Sequence, residues 1–324
     1  MTLVLISAAL AQDITVNVQE HPGIDAESFE ADLSSTIEDE LRLLDQGEYL
    51  QDMATAALMS SKGMGVDYAS NPERFVLGGS VGASASSGLR IGETEQALPQ
   101  GGVAVQATAM AGLNLGAFAP DDSPARRFVV YANGMAADRT GDQYESEFMN
   151  AGGHIQVKLV TPRGAENGAG QWGGIDLTTG YEMSQYELSV TSGMPVWSGK
   201  TSWDATGEYR IRSTAQSIPV ELSTNVRLGI LSLYAGGGYD LWRAGSSASF
   251  IELDGAVSTK VQGQRTDVGT ASLSYAQAAT LSDAYGARGF FGLQMNVFAV
   301  KAYAHVNVQP EAGFGGHAGM RVAL

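Results

Sequence analysis

The chain has 324 residues and a formal net charge of −16, from 19 basic and 35 acidic side chains. This charge has the wrong sign for nucleic acid, because phosphate backbones attract basic proteins, so no nucleic-acid partner is expected. The sequence contains no cysteine, which excludes disulfide scaffolds, thiolate metal sites and cysteine nucleophiles.

Residues 1–11 have the features of a secretory signal. Thr2 to Leu10 form a largely apolar run that ends in Ala9-Leu10-Ala11, a small-x-small cleavage pattern. No Lys or Arg precedes the run, so the usual basic n-region is missing. The alternative interpretation is a buried N-terminal strand. We predict a signal peptide over residues 1–11, which leaves Gln12 as the first mature residue.

Residues 24–63 have the spacing of two amphipathic helices. Steps of three and four residues define a first apolar stripe, formed by Phe29, Leu33, Ile37, Leu41 and Leu44. Gly47 is expected to interrupt this helix. A second stripe ends near Gly63 and contains Leu50, Met53, Ala57 and Leu58. The opposite face of the first helix is acidic, so we expect residues 12–70 to pack on protein rather than on an anionic lipid surface.

After Arg74 the period of the apolar residues changes from 3.6 to 2 and stays near 2 to the end of the chain. In residues 103–117 every odd position is apolar, whereas the even positions include Gln106, Thr108 and Asn114. The predicted strands are often about 10 to 15 residues long, and a tilted strand needs about 9 to 11 residues to cross a bilayer. No apolar run approaches the roughly 18 residues of a spanning helix.

A sheet that crosses lipid must close on itself, because hydrocarbon offers a free edge no hydrogen-bond partners. The alternation continues to the last residue, so the final strand can pair with the first. We therefore predict an all-β fold over residues 71–324, an antiparallel transmembrane β-barrel of about 12 strands (10 to 14). The N-terminal helical segment, residues 12–70, would plug the lumen or cap its periplasmic mouth.

Two local patterns help to place the strand ends. Arg243 to Ser246 is one of several turn-like stretches between the predicted strands. The alternation changes phase near Ala299-Val300, where no Gly, Pro or Asn-Gly is present to make a turn. A β-bulge shifts the phase by one residue without reversing the strand, so we predict a bulge there.

Basic and imidazole side chains at polar strand positions are the candidates for lining the lumen, where they would set ion preference. These candidates are His154, Lys158, Arg210, Arg212 and His305. The two arginines share one face, and a position at a loop end is the alternative for them. The four histidines form no HxxxH or HExxH spacing, so no metal and no other cofactor is expected.

A hydrolase is a weaker alternative. The stretch from Gly78 to Gly82 spells GxSxG, but a nucleophile elbow needs a strand, a sharp turn and a helix in succession. Ser80 lies within an alternating strand with no helical pattern after it. No serine is identified as a partner of His154 or His305 from the sequence, because such pairs need only be close in the folded structure. We therefore expect no enzymatic activity.

The chain as a whole resembles Gram-negative outer-membrane β-barrels. The features that carry the resemblance are the export-like start, the Gly- and Ala-rich strands after Arg74, and the terminal strand GGHAGMRVAL. This strand resembles the assembly signal of such barrels, although it ends on Leu324 where an aromatic residue is usual. The resemblance implies residence in the bacterial outer membrane, contact with its lipid, and recognition of the C-terminal strand by the barrel-insertion machinery.

Residues from Met53 to Ser70 are similar to the segment that precedes the first strand in long-chain fatty-acid transporters of the outer membrane. In that family the segment plugs the lumen, which implies uptake of hydrophobic compounds. We therefore expect a passive channel or uptake pore for an unidentified small molecule, gated by the N-terminal segment. The alternatives are a non-transporting barrel that anchors, adheres or scaffolds at the cell surface, and a barrel-embedded hydrolase. A soluble, secreted β-rich protein is the alternative fold.

Overall fold

A computed structural model describes residues 11–18, 46–70, 72–86, 101–120, 122–164, 170–198, 201–261, 264–281, 286–310 and 312–324, and the single positions Glu27, Ser28, Ala31, Asp32 and Ser35. These five positions are helical. The apolar stripe predicted around them lies outside the described residues, as do residues 1–10 of the predicted signal peptide. The signal peptide and the division of the chain at residue 70 therefore stay predictions.

Twelve strands of the described chain form one antiparallel sheet. Their bounds are β1 Ala11–Val18, β2 Phe75–Ser86, β3 Val103–Asn114, β4 Phe128–Thr140, β5 Tyr144–Val160, β6 Gln171–Ser198, β7 Thr201–Leu228, β8 Leu231–Val261, β9 Gln264–Thr280, β10 Gly286–Val297, β11 Val300–Gln309 and β12 Gly313–Ala323. Besides these five helical positions, the described residues before β2 contain one helix, α1 (Gln46–Ser61). Two single-turn 3₁₀ helices, Leu115–Phe118 and Pro124–Arg127, join β3 to β4. No helix in the described part is long and apolar enough to cross a membrane.

Ten of these strands close into a ring. β2 to β8 pair in chain order, β8 pairs next with β10, and β12 pairs with β2 to complete the circle. Each ring strand thus has a hydrogen-bonded neighbour on both edges, which is the condition that hydrocarbon imposes. The remaining two strands extend the sheet beyond the ring, because β9 pairs with the later half of β8 and β1 pairs with β9. The predicted all-β antiparallel barrel with an N-terminal helix is confirmed.

The strand β1 corrects part of the prediction for residues 12–70. Val18 lies opposite Gly269 and Ala11 opposite Ala276, so this stretch is extended rather than helical. Ile14, Val16 and Val18 alternate with Thr15 and Asn17, a short strand pattern that the prediction of a helical segment overlooked. The free edge of β9 supplies the partner of this strand.

The outer face of the ring is apolar and its inner face is polar. Exposed apolar side chains alternate along the strands with buried polar ones, and Val81, at 63% exposure, is typical of the outer set. The outer set includes Leu77, Val105, Ile155, Leu222, Leu233, Phe291, Leu293, Val308 and Met320. The inner set includes Gln106, Thr108, Gln156, Thr178, Ser223, Gln294 and Asn307. An apolar outer band on a closed single-chain barrel is the architecture of bacterial outer-membrane proteins, which confirms the predicted location.

The strands extend much further at one end of the barrel than at the other. At one end, two-residue turns join β7 to β8 and β10 to β11, and the amide of Leu324 donates to the carbonyl of Phe75 at 3.0 Å. At the other end, β6, β7 and β8 run on for a total of 28, 28 and 31 residues, well beyond the membrane span. The first end also carries the connections 115–127 and 161–170, so the strand extension rather than turn length distinguishes the two ends. Because outer-membrane barrels extend mainly on their extracellular side, we infer that the second end is extracellular and the first periplasmic.

The extracellular parts of β6, β7 and β8, together with β9 and β1, form a distal extension of the sheet. It has an apolar core of its own, which contains Trp203, Leu253, Val257, Leu273 and Tyr275. The indole of Trp203 also donates a hydrogen bond to the carbonyl of Ala271 at 3.1 Å. The distal extension is thus a folded body rather than a set of loops.

The phase change near Ala299-Val300 is a hairpin turn, which corrects the predicted β-bulge. Val297 lies directly opposite Val300, so the strand reverses there. Phe298 has a φ of 53°, a left-handed conformation that residues other than Gly, Asn and Asp rarely adopt. A turn built on phenylalanine is invisible to rules that search for the usual turn residues.

The stretch from Arg243 to Ser246 is also not a turn, because it lies inside the continuous strand β8. β7 pairs with β8 throughout this region, with Gln216 opposite Ala244 and Ser217 opposite Arg243. The cross-strand hydrogen bonds hold the Gly- and Ser-containing stretch extended against its local preference.

The apolar band leads to a prediction about stability in lipid. Val81→Arg places a cation near the middle of the lipid-facing band and should lower the free energy of unfolding by about 2–4 kcal/mol. Thr206→Arg, on the exposed surface of the distal extension, should change it by no more than about 0.5 kcal/mol. Urea unfolding in lipid vesicles, followed by tryptophan fluorescence, measures both. Equal losses for the two variants would contradict a lipid-facing Val81.

Candidate functional site

The lumen of the ring is occupied by a stretch of the chain itself, α1 with the following residues 62–70, which we call the internal segment. The helix contacts the inner side of β2, β3, β6, β7, β8, β9 and β12. Leu50, Ala54, Leu58 and Met59 are buried almost completely. The internal segment thus fills the space that the polar inner face of the barrel encloses.

The internal segment enters the lumen from the extracellular end. Leu50 and Met53, near the start of the helix, pack in one cluster with Ile211 and Ala279. Later residues of the segment contact later residues of β7, a strand that runs from the extracellular to the periplasmic end. These wall partners follow in the order Ala215, Ser217, Glu221 and Asn225. The chain therefore passes through the barrel from outside to inside before β2 begins.

The helix ends where glycine allows a sharp change of direction. Gly63 has a φ of 74°, the left-handed conformation typical of helix C-termini. A Cβ at this position would lie 3.1 Å from the hydroxyl of Tyr68 and 3.3 Å from Nε2 of His305. The turn directs the side chain of Lys62 onto the wall.

Lys62 is held by a group of wall side chains that we call the lysine clamp. Its Nζ lies 2.7 Å from Oδ1 of Asp240 and 3.2 Å from Oε2 of Glu182, and it donates to Oγ of Ser217 at 2.5 Å. These partners belong to the adjacent strands β8, β6 and β7. The side chain of Lys62 is 0% exposed. A buried cation is tolerated only when it is paired in this way, so the clamp joins the internal segment to three strands.

A second pair of contacts holds the end of the internal segment. The hydroxyl of Tyr68 donates to Oε2 of Glu221 at 2.6 Å, and Glu221 is also paired with Arg288 on β10. Across the lumen, Nη1 of Arg321 on β12 lies 3.1 Å from Oδ1 of Asp67. Adjacent residues of the internal segment are therefore fixed to opposite sides of the ring.

Aromatic and imidazole rings pack around Tyr68. Its ring lies 5.7 Å from that of Tyr234 and 5.5 Å from that of His305, measured between centroids. His305 in turn stacks on His317 at 4.5 Å, and its Nδ1 is 3.2 Å from the hydroxyl of Tyr234. These histidines are buried among rings and covered by the internal segment.

Three of the predicted lumen residues lie on the inner side of the barrel. His154 is buried on β5, with Nε2 3.9 Å from Oε1 of Glu182, next to the lysine clamp. Lys158 lies nearer the periplasmic end, with Nζ 3.5 Å from Oδ1 of Asp176. His305 belongs to the ring stack around Tyr68.

Arg210 and Arg212 do not face the lumen, which corrects the prediction for them. They lie on the outer face of the distal extension, where each is 3.7 Å from a carboxylate oxygen of Glu187 and where their side chains are 43% and 52% exposed. Hydrogen bonds from Arg210 lower the pKa of the Glu208 carboxyl. Alternation reveals that the two arginines share a face, but it does not say which face. The buried neighbour Ile211 takes the inward position.

The charged residues that hold the internal segment were missed by the sequence analysis. They are Lys62, Asp67, Glu182, Glu221, Asp240, Arg288 and Arg321. A signal was present, because the wall members of this set occupy the polar phase of strands whose other inward residues are small and uncharged. A charge at such a position needs a partner across the lumen. Identifying that partner requires the three-dimensional arrangement.

The serine of the GxSxG stretch has no elbow geometry. Ser80 is an inward, buried residue in the middle of β2, opposite Thr108 on β3 and Gly319 on β12. Among the described residues, no group of three or more His, Asp or Glu side chains is arranged to hold a metal ion. The predicted lack of enzymatic activity stays a prediction.

The lysine clamp leads to a prediction about stability. Lys62→Met leaves Glu182 and Asp240 buried without their cation, which should lower the free energy of unfolding by about 3–5 kcal/mol. Adding Glu182→Gln and Asp240→Asn removes the orphaned charges and should restore most of the loss. Lys260→Met, at an exposed position, is the matched control and should be near neutral. A triple variant no more stable than Lys62→Met alone would contradict the clamp.

None of the curated proteins matches the chain. Among solved structures, the outer membrane protease OmpT from Escherichia coli is 11% identical, with a TM-score of 0.40, over 78% of this chain and 97% of its own. The translocator domain of the autotransporter NalP from Neisseria meningitidis is 10% identical, with a TM-score of 0.33, over 92% and 98%. A FadL homologue from Pseudomonas aeruginosa is 9% identical, with a TM-score of 0.25, over 83% and 96%.

Similarity at this level carries no argument about activity, and the expected relation to fatty-acid transporters is not settled by it. The sequence comparison is more specific, because a family model described as Lsa36-like matches residues 9–324. That range includes β1, the internal segment and every strand of the ring. The chain belongs to the Lsa36-like family.

Proposed function

We propose that the protein is a surface barrel of the outer membrane that does not conduct solutes. The internal segment closes its lumen, and the distal extension is presented to the outside of the cell as an anchor or scaffold. The observation that carries the proposal is the lysine clamp, in which a fully buried Lys62 joins the internal segment to Glu182 and Asp240 on the wall.

The energetic cost of removing the internal segment supports permanent closure. Leu50, Met53, Leu58 and Met59 are each no more than 5% exposed. Burial of one such side chain contributes about 1.5–3 kcal/mol, so exposing all four would cost on the order of 6–12 kcal/mol. Loss of the pairings at Lys62, Asp67 and Tyr68 would add to this cost. Spontaneous opening would therefore be rare.

The folded distal extension outside the membrane supports a role at the cell surface. The distal extension has its own core around Trp203 and Leu253, and β1 adds a strand to its edge. The internal segment connects this extracellular body to the periplasmic end through the lumen. A force or a ligand acting on the extension would be resisted both by the ring and by the clamped segment.

A second candidate function is the gated uptake pore predicted from the sequence. Its support is the polar inner face, since Gln106, Thr178 and Ser223 would line a water-filled path if the internal segment moved. A ligand that opened this path would have to supply the several kcal/mol that closure contributes. The permeant would be small, and the lysine clamp would be the gate.

Planar-bilayer recording of the full chain separates the two functions. The proposal predicts no conductance steps for the unmodified protein, because the internal segment fills the lumen. Lys62→Ala loosens the clamp and should produce brief openings, whereas Arg210→Ala, on the outer face of the distal extension, should not. Regular conductance steps from the unmodified protein would overturn the proposal and favour the pore.

A further inference from the structure

The periplasmic mouth of the barrel contains a cavity of about 670 Å³, below the end of the internal segment. We call it the mouth cavity. Ala69 and Ser70 of the internal segment form part of its boundary. The cations that line it are Arg126, Arg127, Lys158, Arg227 and Lys301, and its acids are Glu73 and Asp176. Its volume is typical of a small-molecule site.

The charge of the mouth cavity is opposite to that of the whole chain. The protein has 35 acidic and 19 basic residues, yet basic side chains outnumber acidic ones here. Asp176 is paired with Lys158 at 3.5 Å. Nζ of Lys301 donates to the carbonyl of Phe298 at 2.7 Å, and Nε of Arg227 donates to that of Gly229 at 3.3 Å. Carbonyl groups orient these cations without neutralising them, so the cavity keeps a positive potential.

A buried amide supplies a second, independent sign of a ligand. Gln156 is 4% exposed and lines the mouth cavity. Its Oε1 accepts a hydrogen bond from the hydroxyl of Tyr131 at 3.0 Å. Its Nε2 has no partner among the described residues. A buried donor without an acceptor is costly, and a turn of the Gln156 side chain towards the cavity would let an oxyanion satisfy it.

We propose that the mouth cavity is a binding site for a ligand that carries a phosphate group and enters from the periplasmic side. Guanidinium groups bind phosphate oxygens in a bidentate manner, and lysines add charge. Arg127 and Arg227 line the open mouth, Lys301 lies deeper, and Gln156 belongs to the wall. The phosphate belongs either to a soluble periplasmic molecule or to a lipid headgroup of the inner leaflet. The site does not depend on whether the lumen conducts.

Calorimetric titration of the full chain with glycerol 3-phosphate tests the site. The protein is held in maltoside micelles, which carry no phosphate, and measurable binding that weakens with added salt is expected. The double variant Arg127→Gln/Arg227→Gln should weaken binding at least tenfold, and the exposure of both side chains keeps the fold intact. Arg210→Gln is the matched control, since it removes one cation from the distal extension, and its affinity should be unchanged.

The lipid environment distinguishes the two sources of phosphate. If an anionic headgroup is the occupant, nanodiscs of phosphatidylglycerol should compete with glycerol 3-phosphate and abolish its binding signal. If the ligand is soluble, the affinity should be similar in maltoside micelles and in these nanodiscs. No binding in maltoside micelles, or equal affinities for the double variant and the unmodified protein, would overturn the proposal.

Discussion

Backbone N–H and C=O groups find no partners in hydrocarbon, and the architecture of this protein follows from that constraint. The pairing of β12 with β2 closes the ring, so every strand in the membrane has neighbours on both edges. Closure creates two unlike surfaces from one alternating pattern. The outer surface meets lipid through residues such as Val81, and the inner surface encloses a polar lumen that must hold either water or protein.

In this protein the internal segment fills the lumen, and this filling determines where the charged residues of the wall and the segment are placed. Glu182 and Asp240 point inward from the wall, and they would be buried without their cation if the internal segment were apolar throughout. Lys62 pairs with these two carboxylates, and Tyr68 donates a hydrogen bond to Glu221. Asp67 pairs with Arg321 on the opposite side. The wall and the segment are complementary, so each stabilises the position of the other. Closure of the lumen is a consequence of the same pairing.

Alternation predicts the strands, the polar lumen and the closed ring, because the period of side chains along a strand is a local property. It does not say which face a pair such as Arg210 and Arg212 occupies, since inside and outside are defined only by the ring. It also missed the turn at Phe298, which adopts a conformation that its residue type rarely takes. The lysine clamp joins Lys62 to Asp240 across 178 positions, and no local pattern carries a contact of that range.

Cross-linking most directly tests whether the internal segment lies in the lumen with its helix starting at the extracellular end. The chain has no cysteine, so introduced pairs can be interpreted without background. Leu50→Cys with Ile211→Cys joins two members of one packed cluster, and a short thiol cross-linker applied to outer membranes should join them efficiently. Leu50→Cys with Asn225→Cys places the second thiol at the periplasmic end and should remain unlinked. Linkage of the second pair instead of the first would contradict the account.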